Sequence, residues 1–327
     1  MDLLDDWECF LQNKPLAVAT GAAVGNVPEP SPLYISTKTF IGFLDRKIPL
    51  AETFWGIPVL AYNERRCGVI KKQMKFSSDT LEEVAEIEAR TKAADYSVTH
   101  IMAHNPASRF KDVRKVTVGI SKKDIVTFRV KPKGAFYNCF VVIVRIGTPE
   151  GFREFHVKVF NTGKIEVPGI QDNAHLRPVV DILLANMNFP AEFVGGSEEI
   201  VLVNSNFNCN YFINREELYS KLRYKVGMSV MYDPCSYPGI QCKLFYNEAN
   251  EIVLTNPKKN LPSMSIMIFR TGSVLIVGKC QESILPAIYA YLLRVFGEEY
   301  GQIVDKNCAH LKKEMKPRKF RKCILIQ

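Results

Sequence analysis

The chain repeats itself, and the repeat constrains its fold more than any other feature. Residues 156–169 read His-Val-Lys-Val-Phe-Asn-Thr-Gly-Lys-Ile-Glu-Val-Pro-Gly, and residues 265–278 read Ser-Ile-Met-Ile-Phe-Arg-Thr-Gly-Ser-Val-Leu-Ile-Val-Gly. Phe160 therefore matches Phe269, Thr162 matches Thr271, and Gly163 and Gly169 match Gly272 and Gly278. In each copy β-branched residues alternate on either side of a Thr-Gly pair, which predicts a hairpin with glycine at a positive-φ turn position. An apolar pattern at helical spacing follows each hairpin. It comprises Leu176, Val179, Val180, Leu183, Leu184 and Met187 after the first, and Ile284, Leu285, Ile288, Tyr291, Leu292 and Val295 after the second. Pro178 and Pro286 stand near the two helix starts, where a missing N–H does least harm. A strand ending in a cation precedes each hairpin, at 140–145 and 238–243. Units of about 100 residues are too long for a solenoid repeat, so the reading is one pseudosymmetric domain of two βββα halves.

Alternation assigns the faces. Val157 and Val159 oppose His156, Lys158 and Phe160, while Ile266 and Ile268 oppose Ser265, Met267 and Phe269. The β-branched side faces the helices, which leaves Phe160 and Phe269 on a face that the helix of their own half does not cover. Two readings stand there: a phenylalanine closing the core at a strand end, or an aromatic used by a partner.

Composition narrows the class. The 327 residues are 47% hydrophobic and 24% charged, which excludes a disordered or collagen-like chain, and no apolar run approaches the roughly 20 residues of a membrane span. The first residues, Met-Asp-Leu-Leu-Asp-Asp-Trp, are acidic where a signal peptide is basic, so no targeting segment is expected. Nine scattered cysteines without a Cys-x-x-Cys read as reduced, intracellular thiols. The formal charge of +9 is concentrated in two runs, Arg109 to Lys133 and Lys306 to Lys322, which fit either phosphate contacts or a solvated surface. Residues 1–30, ending Val-Pro-Glu-Pro-Ser-Pro, read as an extended arm, and residues 79–94 as an exposed helix packed lightly on a larger body.

No enzyme signature emerges. His100 and His104 have the spacing that lets two imidazoles share a metal on a helix, but the glutamate of the zinc-protease motif is absent and no acid or cysteine lies close in sequence. Cys308-Ala-His310 is no stronger, and no glycine-rich phosphate loop follows a strand. The reading is a non-enzyme without cofactor, metal or catalytic residues.

The duplicated motifs resemble the TATA-box-binding protein family. Tyr237-Pro238-Gly239 and Ile268-Phe269-Arg270-Thr271-Gly272 are similar to the strand start and hairpin of that family's second repeat, and Tyr232-Asp233-Pro234 to its Tyr-Glu-Pro. Phe160-Asn161-Thr162-Gly163-Lys164 is similar to the first-repeat hairpin. The stretch Lys133-Gly-Ala-Phe-Tyr-Asn138-Cys139 resembles the divergent members found in large nucleocytoplasmic DNA viruses. The resemblance covers roughly residues 31–66 and 134–300.

It implies an α+β fold in which two pseudosymmetric repeats form a curved antiparallel saddle with helices on its convex face. The parts would be an arm at 1–30, a first repeat at 31–196 with an insertion at about 68–133, a second repeat at 197–300 and a basic tail at 301–327. As a surface insertion, 68–133 is expected to be removable at little entropic cost. The resemblance further implies minor-groove binding to double-stranded DNA, with wedges that unstack base steps. Carried over by position, the wedges are Phe160, Tyr237 and Phe269, with the fourth falling at Cys139. Groove-lining residues are Val141, Ile143, Met267, Leu275 and Val277, and phosphate-reaching cations are Arg145, Lys164, Lys243 and Arg270. The implied partners are promoter DNA, RNA polymerase and general transcription factors, with no membrane. The implied location is intracellular, in the host cytoplasm (a viral factory), the nucleus or the virion.

Departures from the family pattern are specific. Its two central asparagines have no counterpart at Leu33, with Asn204, Asn206 and Asn208 as substitutes in the second half, and Lys158, Glu166 and Pro168 stand where the family is apolar or threonine. The first half is therefore expected to read a groove less well than the second. The alternative function is a protein-interaction platform on the same saddle without sequence-specific DNA binding.

Overall fold

The alternation visible in the two hairpins extends through a single sheet. The computed structural model describes residues 27–105, 110–126, 136–254 and 261–306. The first part of the chain forms β1 (Tyr34–Phe43), α1 (Leu50–Gly56), β2 (Gly68–Ser78), α2 (Leu81–Lys92), β3 (Ser97–Asn105), β4 (Lys111–Gly119) and α3 (Lys122–Val126). A meander follows, β5 (Cys139–Thr148), β6 (Gly151–Phe160) and β7 (Lys164–Ile170), and then α4 (Leu176–Asn186). The remainder is β8 (Glu199–Asn208), α5 (Arg215–Ser220), β9 (Ser229–Met231), β10 (Ile240–Tyr246), β11 (Ile252–Val253), β12 (Ser263–Ile268), β13 (Ser273–Gly278) and α6 (Ile284–Ile303).

Thirteen strands make one open antiparallel sheet in the order β11-β10-β12-β13-β8-β1-β7-β6-β5-β2-β4-β3, with β9 also on β10. Outward from the central β8–β1 pair, the strands run β13, β12, β10 on one side and β7, β6, β5 on the other.

Helices α1, α2, α4, α5 and α6 contribute to two cores on the sheet, whereas α3 reaches Lys71 on the other side of β2. Val157, Val159 and Ile165 share a core with Phe40, Phe54, Phe140 and Leu183 of α4, while Ile266, Ile268 and Ile276 share a second with Phe207, Ile240 and the α6 residues Leu285 and Leu292. Rings of Phe54, Phe76 and Phe140 meet edge to face at 5.5 and 6.4 Å, and truncating such a buried ring costs about 3–5 kcal/mol. The two hairpin turns close alike: the N–H of Gly163 donates to Phe160 O, and that of Gly272 to Phe269 O. Their φ values are +87° and +76°, and a Cβ there would stand 2.4 Å from Arg46 O and 2.2 Å from Tyr211 O, so only glycine fits.

Residues 68–119 differ from the expected surface insertion. Gln73 of β2 pairs with Val141 of β5, β4 pairs with β2, and Val69, Met74, Phe76, Val116 and Val118 lie in the first core. The stretch lengthens both sheet and core, so its removal would bare the β5 edge and a buried surface. His100 and His104 stand on strand β3 rather than a helix, and His104 Nδ1 lies 2.9 Å from buried Asp112. Among the described residues no group of three or more His, Cys, Asp or Glu is arranged to hold a metal, and no helix is long and apolar enough to cross a membrane. Residues 1–26 of the arm, the tail beyond 306 and Cys308-Ala-His310 lie outside the described residues.

Candidate nucleic-acid interface

The face of the sheet opposite the two cores is met at β2, β5 and β6 by α3, whose Asp124 pairs with Lys71 at 2.7 Å and whose Lys122 N donates to Glu154 at 2.9 Å, and by the loop before β2. From β7 across to β10 it is uncovered, its side chains half-buried or exposed. In the first half, Cys139 stands opposite Phe160, Val141 opposite Lys158 and Ile143 opposite His156, with Lys158 in turn opposite Glu166. In the second half, Gln241, Met267, Leu275 and Asn206 form one cross-strand row, and Lys243, Ser265, Val277 and Asn204 the next. The structure thus brings Val141, Ile143, Phe160, Lys164, Met267, Leu275 and Val277 onto one face, each half-buried.

The two ends of this face differ chemically. At the second hairpin the rings of Tyr237 and Phe269 lie 6.0 Å apart at 57°, and Tyr237 Oη is 3.5 Å from Met267 Sδ, so three apolar groups form one cluster. Lys243 and Arg270 are exposed beside it. At the first hairpin Lys164 Nζ sits 5.6 Å from the centroid of Phe160, and the charges of Lys158 and Glu166 pair at 2.5 Å.

Two expected residues have other roles. Arg145 is 4% exposed, and its guanidinium donates to the carbonyls of Arg66 at 3.2 Å, Tyr62 at 2.9 Å and Glu64, while packing on the rings of Tyr62 and Phe152. It anchors the loop before β2, with each of its three nitrogens donating to a backbone carbonyl. Cys139 shares the face of Phe160 but is 3% exposed, too enclosed to act as a wedge, and burial pushes its thiol above the ordinary range.

Sequence reasoning missed Phe136 and Tyr137, which are 66% and 54% exposed beside the first hairpin. Lys75 Nζ lies 3.6 Å from the ring centroid of Tyr137, and Lys158 Nζ lies 5.9 Å from that of Phe136. The signal was in the register. Tyr137 precedes by two residues the partner of Phe160, Cys139. Tyr237 likewise precedes by two residues Gly239, where a Cβ would stand 3.1 Å from the ring of Phe269. On β8, Asn208 at the second-hairpin end is engaged by Ser273 and Asn210, whereas Asn204 Oδ1, nearer the middle of the face, is buried with no hydrogen-bond partner.

No family model matches the sequence. A curated protein of Acanthamoeba polyphaga mimivirus named "TATA-box-binding protein-like" is 21% identical over 202 residues, covering 56% of this chain and 54% of that protein. The chain resembles the TATA-box-binding protein family. It spans about half the length of that curated relative. Among solved structures, one titled "Methanococcus jannaschii TBP" overlaps with a TM-score of 0.40 at 11% identity, over 83% of this chain and 99% of the other.

Proposed function

We propose that the uncovered face binds double-stranded DNA through its minor groove and bends it, as a TATA-binding-like transcription factor that brings RNA polymerase or partner factors to a promoter. The observation that carries this reading is the pair of hairpin turns, each presenting a phenylalanine on the uncovered face, with Tyr237 and Met267 packed at Phe269. Unstacking a base step costs a few kcal/mol, and bulky apolar groups at both ends of a strand-lined face repay it by letting the bent duplex follow more of that face. The mirrored strand order about β8–β1 supports two pseudosymmetric repeats, near 31–196 and 197–300, on a curved sheet with helices on its convex side.

In this reading Phe160, Tyr237, Phe269 and Tyr137 contact base steps. Val141, Ile143, Met267, Leu275 and Val277 line the groove, and Lys164, Lys243 and Arg270 meet phosphates. Chemistry is not required, and the role is binding alone. A mobility-shift titration of the full chain on mixed-sequence and A·T-rich duplexes across a salt series tests it. Binding that weakens linearly in log–log form with salt is expected. No retardation at about 50 mM salt contradicts it and favours an interaction platform, a reading that the neutralised Lys158–Glu166 pair on this face would suit.

A further inference from the structure

The two ends of the sheet are finished differently. At one end the border strands are short, β11 with 2 residues and β9 with 3, both lying on β10. At the other end β3 runs for 9 residues, and no described strand pairs with its outer side. Long edges in natural sheets are commonly blunted by charges or proline, because their unpaired backbone groups invite another strand. Ser97–Asn105 reads Ser-Val-Thr-His-Ile-Met-Ala-His-Asn and holds no Lys, Arg, Asp, Glu or Pro. Its one irregularity is a bulge between Ile101 and Ala103, which leaves Ser97 to Ile101 regular. Val98, Ile101 and Met102 are exposed, as is Tyr96 just before the strand.

Backbone alternation fixes which groups this edge offers. The N–H of Gly119 donates to Tyr96 O at 3.1 Å, and Ser97 to Ile101 pair in unbroken register with Val118 to Arg114. Tyr96, Val98 and His100 therefore turn their bonding groups toward β4, while Ser97, Thr99 and Ile101 turn N–H and C=O outward. A second copy of the strand, antiparallel about a two-fold axis at Thr99, sets Ser97 against Ile101 and Thr99 against Thr99, so that every outward residue exchanges both bonds. Val98 then stands opposite His100, and Tyr96 opposite Met102. No charge meets a like charge, and a Thr–Thr pair across antiparallel strands is favourable. Centring on Ile101 instead sets Thr99 against Ala103, beyond the bulge, where the outward groups no longer alternate in step. The helices also fit. Helix α2 packs across β2, β4 and β3, held by Glu88 on Arg114 and by Ser97 Oγ donating to Thr91 O at 2.7 Å. With α2 centred on β4, its two copies would stand about 14 Å apart, farther than the roughly 8–10 Å of packed helices.

We propose that β3 is a dimer interface: two copies of the chain pair antiparallel about Thr99 and continue one sheet across both. A strand with no charge of its own selects no partner by charge, and the strand that matches its outward groups and exposed apolar residues is its own copy. The two-fold closes the contact, so assembly stops at two chains. The strands from β7 to β10 stay open in the dimer, which stands whether or not that face takes DNA.

Sedimentation velocity of the full chain tests this from about 1 to 100 μM, the range suited to a small strand-to-strand contact. A species of twice the chain's mass should grow in with concentration. Salt should not dissociate it, because the edge holds no ion pair and the +9 charges of the two chains repel one another. Thr99→Lys sets two ammonium groups face to face and should weaken the dimer at least about tenfold with the Tm of the chain unchanged. Thr99→Cys gives a second reading that survives if the lysine variant fails to fold. The two Cα atoms at that pair stand about 5.5 Å apart, within the range a disulfide spans. Mild oxidation should therefore cross-link Thr99→Cys well above the native chain, whose Cys67 and Cys235 are exposed, and above Val98→Cys, which faces His100 instead. A chain still monomeric at about 100 μM overturns the proposal and leaves the edge to a different partner. A dimer indifferent to Thr99→Lys overturns it by moving the contact to another surface. Growth beyond two chains, dissociation by salt, or no excess cross-link in Thr99→Cys overturns it as well.

Discussion

Lys158 Nζ stands 2.5 Å from Glu166 Oε1, an ion pair between neighbouring strands β6 and β7 on the uncovered face of the sheet. Sequence alone sets Glu166 against a phosphate-lined groove; the geometry instead cancels it with the adjacent cation. Glu166→Val would therefore both remove an acid and free Lys158 for a phosphate. Duplex affinity should rise about three- to tenfold at low salt, with the salt slope steeper by about 0.9, the share of one phosphate contact. Lys158→Ala combined with Glu166→Val should abolish the extra slope. Filter binding of the three chains across a salt series measures this, and weaker binding by Glu166→Val goes against it.

Arg145 makes the opposite case. Because its guanidinium is spent on three backbone carbonyls, Arg145→Met should leave buried acceptors unpaired and lower stability by about 2–4 kcal/mol. The salt slope of duplex binding by the folded variant should not change, whereas Lys243→Ala should flatten it by about 0.9. Denaturant unfolding and salt-dependent binding separate the two effects.

Lys72 gives the fold a pH signature. It is 5% exposed and donates to the carbonyls of Phe54 at 2.8 Å, Trp55 at 3.3 Å and Ile57 at 2.7 Å, closing the C-terminal end of α1. Burial lowers its ammonium from 10.5 to about 8. Between those values the unfolded chain holds the proton and the folded chain releases it, so the stability contributed at this site rises with pH across the window. The Tm of the native chain minus that of Lys72→Met should increase from pH 8 to pH 10. A difference that falls over that range contradicts the assignment.

What was legible in the sequence was local. The Phe-x-Thr-Gly turns, the apolar stripes of α4 and α6 and the alternation of Val157 and Val159 depend on neighbours a few residues away, and each lies where its pattern predicts. What was hidden depends on distant partners. Pairing of Gln73 with Val141 joins strands far apart in the chain, and no local pattern near 68–78 reports it. Arg145 looks like a free cation at a strand end until residues 62–66 fold over it. His100 and His104 have helical spacing, yet cross-strand pairing with Lys115 and Asp112 settles them on β3. Tyr137 was overlooked because the family pattern places a wedge at Cys139, two residues too late for this register.

If apolar groups on the uncovered face bend a duplex, the second half of the sheet does most of this work. Phe269 has Tyr237 and Met267 around it, whereas Phe160 has Lys164 and a neutralised ion pair nearby. Energy transfer between dyes at the two ends of a short duplex, at saturating protein, measures the bend directly. The native chain should raise the transfer above that of free duplex, Phe269→Ala should abolish most of the rise, and Phe160→Ala should remove a smaller part. Unchanged transfer on binding the native chain, or a bend indifferent to Phe269→Ala, would contradict the account.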